Sequence, residues 1–180
     1  MRIGESFIGD GVDAAHINTV LGAKDGPVGV AWATALATPR QGHVPFVAVL
    51  QPGLPTRPLT LFVNKATIEG DRHATLTWGA AQAGVAAGVA DAVHAGTVAR
   101  EQVDELVLIA AVWVNPLAEY ADAVYTNNRE ATARALAAGA AASGPAAGEL
   151  LEQVLAARDQ PANPFYRPSG GHHSPAGGAW

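Results

Sequence analysis

Residues 106–114 form an uninterrupted apolar run, from Leu106 to Val114, with no charged, polar or helix-breaking residue inside it. A strand with apolar side chains on both faces must be covered on both faces, which is typical of the central strands of α/β proteins. The run is far shorter than the roughly 20 residues that a helix needs to cross a bilayer. The chain is therefore expected to fold in layers around this strand, without a membrane as its partner.

The rest of the sequence predicts partners for this strand. Runs rich in β-branched and apolar residues, bounded by glycine and proline, indicate further strands, and helical periodicity indicates helices between them. The predicted strands cover Arg2–Ile8, Ala15–Leu21, Phe46–Gln51 and Thr60–Ile68, and the predicted helices cover Pro27–Leu36, Asp71–Ala95, Leu117–Ala142 and Gly148–Arg158, with a helical turn at Glu101–Glu105. This order predicts an α/β fold, a single layered domain of a mixed sheet with helices packed on it.

The composition changes near the end of the chain. After residue 158 the sequence becomes rich in proline, glycine, serine and histidine and holds too few apolar residues for a core. We expect residues 1–158 to form the domain and residues 159–180 to form a flexible tail. His172 and His173 are adjacent within this tail and lack the further ligands that a metal site requires, so no metal role is assigned to them.

Charge and cysteine content exclude several functions. The 180 residues carry a formal net charge of -5, with 11 Lys and Arg, so nucleic acid is not an expected partner. The absence of cysteine excludes disulfides, thiolate nucleophiles and iron-sulfur ligation. No basic and apolar leader follows Met1, and we expect a cytoplasmic protein.

One lysine is predicted on an apolar face. Strand alternation places Leu61, Val63, Lys65 and Thr67 on the same side of a predicted strand. Burial lowers the pKa of a lysine unless an anion accompanies it. The residues alone leave four roles open for Lys65: a Schiff-base nucleophile, a donor to a ligand, half of an ion pair, or a strand-end lysine with its ammonium in water.

Two further polar positions are notable. Gln82 shares a helical stripe with Trp78 and Val85, so its amide either binds a neighbouring backbone group or recognises a polar ligand. His16 and Asn18 share a face of the second strand, and a histidine there can be a general acid or base, or a satisfied structural residue.

Motifs for common cofactors are absent. The histidines outside the tail show no metal-ligand spacing, and the sequence contains no GxGxxG, P-loop, GxSxG or HExxH pattern. The individual residues therefore indicate an α/β domain with three polar positions of interest and no assigned reaction.

Five segments together carry a resemblance that is more specific. They are Gly4-Glu5-Ser6-Phe7-Ile8-Gly9-Asp10-Gly11, Ala15-His16-Ile17, Ala48-Val49-Leu50-Gln51-Pro52-Gly53-Leu54-Pro55, Asn64-Lys65-Ala66-Thr67-Ile68 and Ala81-Gln82-Ala83-Gly84-Val85-Ala86, with Asn128 and Glu130-Ala131-Thr132 beyond them. As a set over about residues 3–140, they resemble the formaldehyde-activating enzyme family. That family condenses formaldehyde with tetrahydromethanopterin to give methylene-tetrahydromethanopterin and water.

The resemblance implies a fold, a reaction and a set of site residues. It implies a ribosomal protein S5 domain 2-like fold and a carbon-oxygen lyase of one-carbon metabolism, with tetrahydromethanopterin as co-substrate and no metal. His16 takes the place of the catalytic proton donor, and Lys65, Thr67 and Gln82 take places that contact the pterin. Val47 stands where the family has a leucine against the same ligand. The resemblance also implies a homopentamer with sites between subunits.

Two further positions depart from the family pattern. Asn18, in the same substrate-binding site, stands where the family has an aspartate, and Ala83 stands where members often carry a histidine. A neutral amide cannot act as a base or hold an imidazolium protonated as a carboxylate can. Beside the family activity, two alternatives stay open: a relative that acts on a different amine or aldehyde, and a noncatalytic pterin- or aldehyde-binding protein.

Overall fold

The computed structural model describes residues 1–144, 147–163 and 166, and its centre is a β-sheet. The strands of this sheet are β1 (Arg2–Ile8), β2 (Ala15–Ala23), β3 (Phe46–Val47), β6 (Leu59–Asn64) and β7 (Leu106–Trp113), and a separate two-stranded sheet is formed by β4 (Val49–Gln51) and β5 (Leu54–Pro55). The five strands follow the order β1-β2-β7-β6-β3. The apolar run predicted as a central strand is therefore the middle strand of the sheet.

The sheet is mixed. Strands β6 and β7 run parallel, whereas β1 with β2, β2 with β7, and β3 with β6 are antiparallel. The prediction of an α/β domain with a mixed sheet is confirmed.

The helices lie between and after the strands. They are α1 (Pro27–Ala37), α2 (Gly70–Thr75), a π-helical segment (Leu76–Ala81), α3 (Gln82–His94), α4 (Ala121–Ala142) and α5 (Ala147–Ala157), with short 3-10 turns at Gly11–Asp13 and Arg100–Gln102. Helices α2 and α3 join through the π-helical segment without a break. Pro27 begins α1 at a position where its missing N–H costs nothing.

The main core lies on one face of the sheet, beneath α3 and α4. Ile17, Phe62 and Val112 point to this face and are buried with Val85 of α3 and Val124 of α4. Burial of such side chains contributes roughly 1.5–3 kcal/mol each relative to exposure. This apolar layer fixes which side of every strand points inward.

Strand β1 approaches α4 closely because position 4 is a glycine. A Cβ atom built on Gly4 would overlap the backbone carbonyl oxygen of Ala135, and it would lie 2.8 Å from the backbone nitrogen of Gly139. Any side chain at this position would push the strand and the helix apart.

The opposite face of the sheet is covered only in part. Helix α1 packs there, with Val28 against Gly22 near the end of β2. Residue 16 lies six positions earlier on the same strand, a distance of about 20 Å at 3.3 Å per residue. The end of the sheet that carries His16 therefore extends beyond the cover that α1 provides.

Several predicted boundaries shift. The strand predicted over Thr60–Ile68 ends at Asn64, and the strand predicted over Phe46–Gln51 divides into β3 and β4. The π-helical segment interrupts the periodicity of the long helix, since a π turn contains more residues than an α turn. Trp78 is consequently 50% exposed and does not join the buried stripe of Gln82 and Val85.

The predicted tail lies mostly beyond the part of the chain that the structure describes. Residues 164–165 and 167–180, including His172 and His173, are outside the described residues, so the predicted division at residue 158 stays a prediction. Among the residues that are described, no helix has the length and apolar character that a membrane span requires.

Candidate active site

Polar side chains from three strands meet on the partly covered face of the sheet. The register places Glu5 of β1 opposite Asn18 of β2, and it places Phe7 opposite His16. Lys65 directly follows the last residue of β6. Because side chains alternate along each strand, all five residues project from the face opposite the main core.

Lys65 reaches across the intervening strand to its partners. Adjacent strands lie about 4.8 Å apart, so β6 and β2, on either side of β7, are separated by roughly 10 Å. Ala111 is the β7 residue paired with Asn18, and its side chain is a single methyl group. A small residue at this position leaves room for the lysine stem to pass over β7.

Four side chains form a line of hydrogen-bonded groups. The Lys65 Nζ atom lies 2.8 Å from the Asn18 Oδ1 atom and 3.2 Å from the His16 Nδ1 atom. The His16 Nε2 atom lies 2.5 Å from the Glu5 Oε1 atom. His16 thus stands between a carboxylate and an amine, with one ring nitrogen directed at each.

The carboxylate determines which ring nitrogen carries hydrogen. An ionised carboxylate only accepts hydrogen bonds, so the His16 Nε2 atom is the donor to Glu5. The hydrogen bond from His16 holds the pKa of Glu5 below its ordinary value, with a further contribution from the Asn18 side-chain amide. The Nδ1 atom is then the ring nitrogen that accepts a hydrogen bond from the Lys65 amine.

Burial makes Lys65 an unusually weak base. Loss of solvent lowers its pKa from 10.5 to about 8, and the attraction of Glu5 offsets this effect only in part. Among the described residues, none of the ion pairs includes Lys65. Its oxygen acceptor is the neutral amide of Asn18, which does not stabilise the ammonium form as strongly as a carboxylate would.

Aromatic side chains border the imidazole on both sides. The ring centroids of Phe7 and His16 are 6.0 Å apart, with the rings tilted by 51°. On the other side, Trp113 is the β7 residue paired with His16. These rings give the site apolar walls beside its polar groups, as ligand sites commonly have.

Val47 lies at the margin of this face, whereas Thr67 follows the end of β6. Val47 is paired with Leu61 and shares its side of the sheet, and Leu61 lies two residues before Val63, which is at the same level of the sheet as Asn18. Thr67 is exposed, and its methyl group lies against Gly42, whose backbone oxygen accepts a hydrogen bond from Asn64. Neither Val47 nor Thr67 is part of the hydrogen-bonded line.

Gln82 lies apart from the other predicted site residues. It is 9% exposed, and its Nε2 atom donates a hydrogen bond of 2.8 Å to the backbone oxygen of Val49. Helix α3, which it begins, packs on the core face of the sheet, opposite His16. Of the two roles left open by the sequence, the structure shows the amide binding a neighbouring backbone group.

Glu5 was not predicted as a site residue, although it belongs to a quoted motif. Gly9-Asp10-Gly11 predicts a turn, and a hairpin through this turn pairs the two strands antiparallel, which brings the Glu5 side chain next to the second strand. Ile8 pairs with Ala15, so six residues lie in the loop, and the position of Glu5 beside Asn18 depends on this loop length, which the turn motif does not specify. The contribution of Trp113 needed the pairing of β2 with β7, which lies far away in sequence.

The histidine at position 73 has a structural role. The backbone N–H of Glu69 donates to its Nδ1 atom at 3.0 Å, and its Nε2 atom lies 3.0 Å from the Val114 carbonyl oxygen. Both ring nitrogens are therefore used inside the protein. Among the described residues, no group of three or more His, Cys, Asp or Glu side chains could hold a metal ion.

Known proteins are similar in sequence to this chain over most of its length. A family model described as formaldehyde-activating enzyme (Fae) matches residues 3–165. A 5,6,7,8-tetrahydromethanopterin hydro-lyase of Methanosarcina barkeri (strain Fusaro) is 42% identical over 163 residues, which cover 91% of this chain and 89% of that protein.

Longer proteins match as well. A bifunctional enzyme Fae/Hps of Archaeoglobus fulgidus is 44% identical over 135 residues, which cover 75% of this chain and 34% of that protein. A bifunctional enzyme Fae/Hps of Methanococcoides burtonii is 43% identical over 136 residues, covering 76% of this chain and 34% of that protein. The chain thus spans about a third of the length of these bifunctional relatives.

Proposed function

The chain belongs to the formaldehyde-activating enzyme family, and we propose on this basis that it is a hydro-lyase that condenses formaldehyde with tetrahydromethanopterin. The products are methylene-tetrahydromethanopterin and water. The relative from Methanosarcina barkeri, which the chain matches over nearly its full length, is named for a hydro-lyase of this pterin. The observation that carries the proposal within the structure is the position of His16 between Glu5 and Lys65 on an accessible part of the sheet.

This arrangement fits the proton transfers that the reaction needs. Addition of an amine to formaldehyde gives a carbinolamine, whose hydroxyl group can leave as water only after it receives a proton. His16 is the acid in this proposal, and its side chain is 25% exposed, so a bound intermediate can contact it. Glu5 fixes the orientation of the ring through its hydrogen bond to the Nε2 atom.

Orientation of the reactants supplies the rest of the catalysis. Formaldehyde already condenses readily with amines, so holding the one-carbon unit beside two pterin nitrogens removes much of the remaining entropic barrier. We assign pterin contacts to Asn18, Val47, Lys65 and Thr67, of which the first three share the face of the sheet that carries His16 and Thr67 is included on the family resemblance. No step of this scheme uses a metal or a redox cofactor.

The pterin contact proposed for Gln82 requires a second subunit. In one chain it lies on the core side of the sheet, at the contact between α3 and β4. A contact between Gln82 and a pterin bound at His16 is therefore assigned to a neighbouring subunit of a homo-oligomer. We propose a cytoplasmic homopentamer with sites between subunits, and sedimentation of the purified protein tests the subunit number.

The deciding experiment compares two pterins. Purified protein is mixed with formaldehyde and either tetrahydromethanopterin or tetrahydrofolate, and methylene-pterin formation is followed by absorbance after subtraction of the uncatalysed rate. We expect acceleration with tetrahydromethanopterin and little or none with tetrahydrofolate. The absence of acceleration and of binding for tetrahydromethanopterin would refute the proposed function.

A further inference from the structure

We propose that Lys65 is a covalent carrier in this reaction, capturing formaldehyde as an imine before the carbon passes to the pterin. This proposal rests on the proposed function and adds a catalytic residue to it. The Lys65 amine becomes the first nucleophile, and His16 moves the protons for both the capture and the loss of water.

The geometry around Lys65 is that of an activated nucleophile. Such sites place a base within hydrogen-bonding distance of the nucleophile and a third group that orients the base. The His16 Nδ1 atom lies 3.2 Å from the Lys65 Nζ atom, and the Glu5 carboxylate holds the other ring nitrogen. The order carboxylate, imidazole and nucleophile is therefore complete in one chain.

The surroundings of the amine favour its neutral, reactive form. Its nearest oxygen partner is the Asn18 amide at 2.8 Å, and none of the ion pairs among the described residues includes it. With a pKa of about 8, about one amine in ten is neutral at pH 7, against about one in three thousand at the ordinary value of 10.5.

The capture step balances without any further reactant. The lone pair of the Lys65 Nζ atom attacks the carbon of formaldehyde, and the carbonyl electron pair moves to oxygen. The nitrogen passes a proton to the Nδ1 atom of His16, and the negatively charged oxygen takes a proton from water to become a hydroxyl. His16 then returns its proton to this hydroxyl, the C–O bond breaks to release water, and the nitrogen lone pair forms the C=N bond of a methylene iminium.

The transfer step regenerates the enzyme. One pterin nitrogen attacks the methylene carbon, and the C=N electron pair returns to Nζ. The second pterin nitrogen attacks the same carbon while the C–Nζ bond breaks, and the Nζ atom takes a proton as it leaves, so Lys65 is again a neutral amine. Of the two protons lost by the pterin nitrogens, one supplies this Nζ proton and the other replaces the one taken from water in the capture step. The sum of the steps is formaldehyde plus reduced pterin giving methylene-pterin plus water.

The small number of lysines makes the proposal directly measurable. The chain contains two, Lys65 and Lys24. Lys24 is exposed, and its ammonium donates to the backbone oxygen of Asp104 at 2.7 Å. Lys24 is thus a matched internal control, an exposed lysine in the same molecule.

The experiment traps the imine in the absence of pterin. The full chain is incubated at pH 7 with deuterated formaldehyde and cyanoborohydride, and peptide mass spectrometry follows methylation of Lys65 and Lys24 over time. We expect Lys65 to be labelled at least ~10-fold faster than Lys24. This ratio is smaller than the ratio of the neutral amine fractions at a pKa of about 8 and at the ordinary lysine value, because a weaker base is also a weaker nucleophile. Equal labelling, or faster labelling of Lys24, would overturn the proposal.

Two variants separate the covalent role from pterin binding. Lys65→Arg keeps a positive charge and hydrogen-bond donors but cannot form an imine, and Lys65→Met keeps the length of the stem without the charge. We expect both to fold, by circular dichroism, and to lose about 100-fold or more of the catalysed rate, with Lys65→Arg retaining pterin affinity. A Lys65→Arg enzyme with nearly wild-type turnover would overturn the covalent route, whatever the labelling result, and would leave the proposed hydro-lyase function standing.

Discussion

Burial lowers the pKa of Lys65 beside a neutral Asn18, and replacement of Asn18 by aspartate tests whether a carboxylate at this position offsets the effect. In Asn18→Asp, a carboxylate oxygen would occupy the position of the Oδ1 atom, 2.8 Å from the Lys65 Nζ atom. An opposite charge at such a distance raises the pKa of a lysine by roughly 1–3. We therefore expect the pKa of Lys65 to rise from about 8 to near its ordinary value.

The change in reactivity follows from the same pKa values. A rise of about 2 reduces the neutral fraction of the Lys65 amine at pH 7 by roughly 100-fold. The rate of reductive methylation at Lys65 should fall by a similar factor, while that at Lys24 stays unchanged. Asn18→Ala is the matched neutral control, since it removes the acceptor oxygen without adding charge and should leave the pKa of Lys65 low.

Nuclear magnetic resonance can measure this pKa without interference. Lysine labelled with 13C at the ε carbon gives only two side-chain signals in this chain, and Lys24→Arg assigns them. Each signal is followed as the pH rises from about 6 to 11, a range that brackets the ordinary lysine value. A wild-type Lys65 that titrates like a solvent-exposed lysine, or an aspartate variant that titrates no higher than wild type, would refute the reasoning.

Three further expectations concern the same site and its support. His16→Ala should lower the rate of methylene-pterin formation by roughly 100- to 10,000-fold while pterin binding stays nearly intact, as measured by stopped-flow rates and a separate titration; parallel losses of rate and affinity would make the imidazole a binding group instead. Glu5→Gln keeps the shape of the side chain but removes the attraction that raises the pKa of Lys65, so this pKa should fall further in the same titration, and a rise would contradict the electrostatic account. Gly4→Ala should destabilise the fold by about 1–3 kcal/mol or more, because the added carbon overlaps the backbone of α4. Gly148→Ala is the control, since no atom lies within 4 Å of its added carbon. Equal midpoints of thermal unfolding for the two variants would exclude the close packing of β1 on α4.

Local patterns in the sequence predicted the elements that carry the site. The apolar run at residues 106–114 indicated a strand covered on both sides, and it is the middle strand of the sheet. Alternation predicted that His16 and Asn18 share a face and that Lys65 projects from the same side of its strand as Val63, because side-chain direction in a strand depends only on position. The motifs around these residues carried the family resemblance, which the family model confirms.

Other features depended on how distant segments meet. Lys65 and His16 are 49 residues apart, and they touch because β6 and β2 lie on either side of β7. No periodicity specifies which strands become neighbours, since the same alternating pattern fits several strand orders. The sequence left four roles open for Lys65 for this reason, and the sheet order determines that its partners are an amide and an imidazole.

Gln82 also shows one property that the sequence predicted and others that depend on tertiary packing. Its helical stripe predicted an inward side chain, and the residue is buried as predicted. Which side of the sheet receives that side chain, and whether a backbone oxygen or a ligand meets the amide, depend on the packing of α3 against the core and β4. The sequence by itself therefore determined the direction of each side chain relative to its own element, because this direction follows from backbone geometry. The tertiary structure alone decided which of those side chains share a site, because that depends on strand order and on which face of the sheet each helix covers.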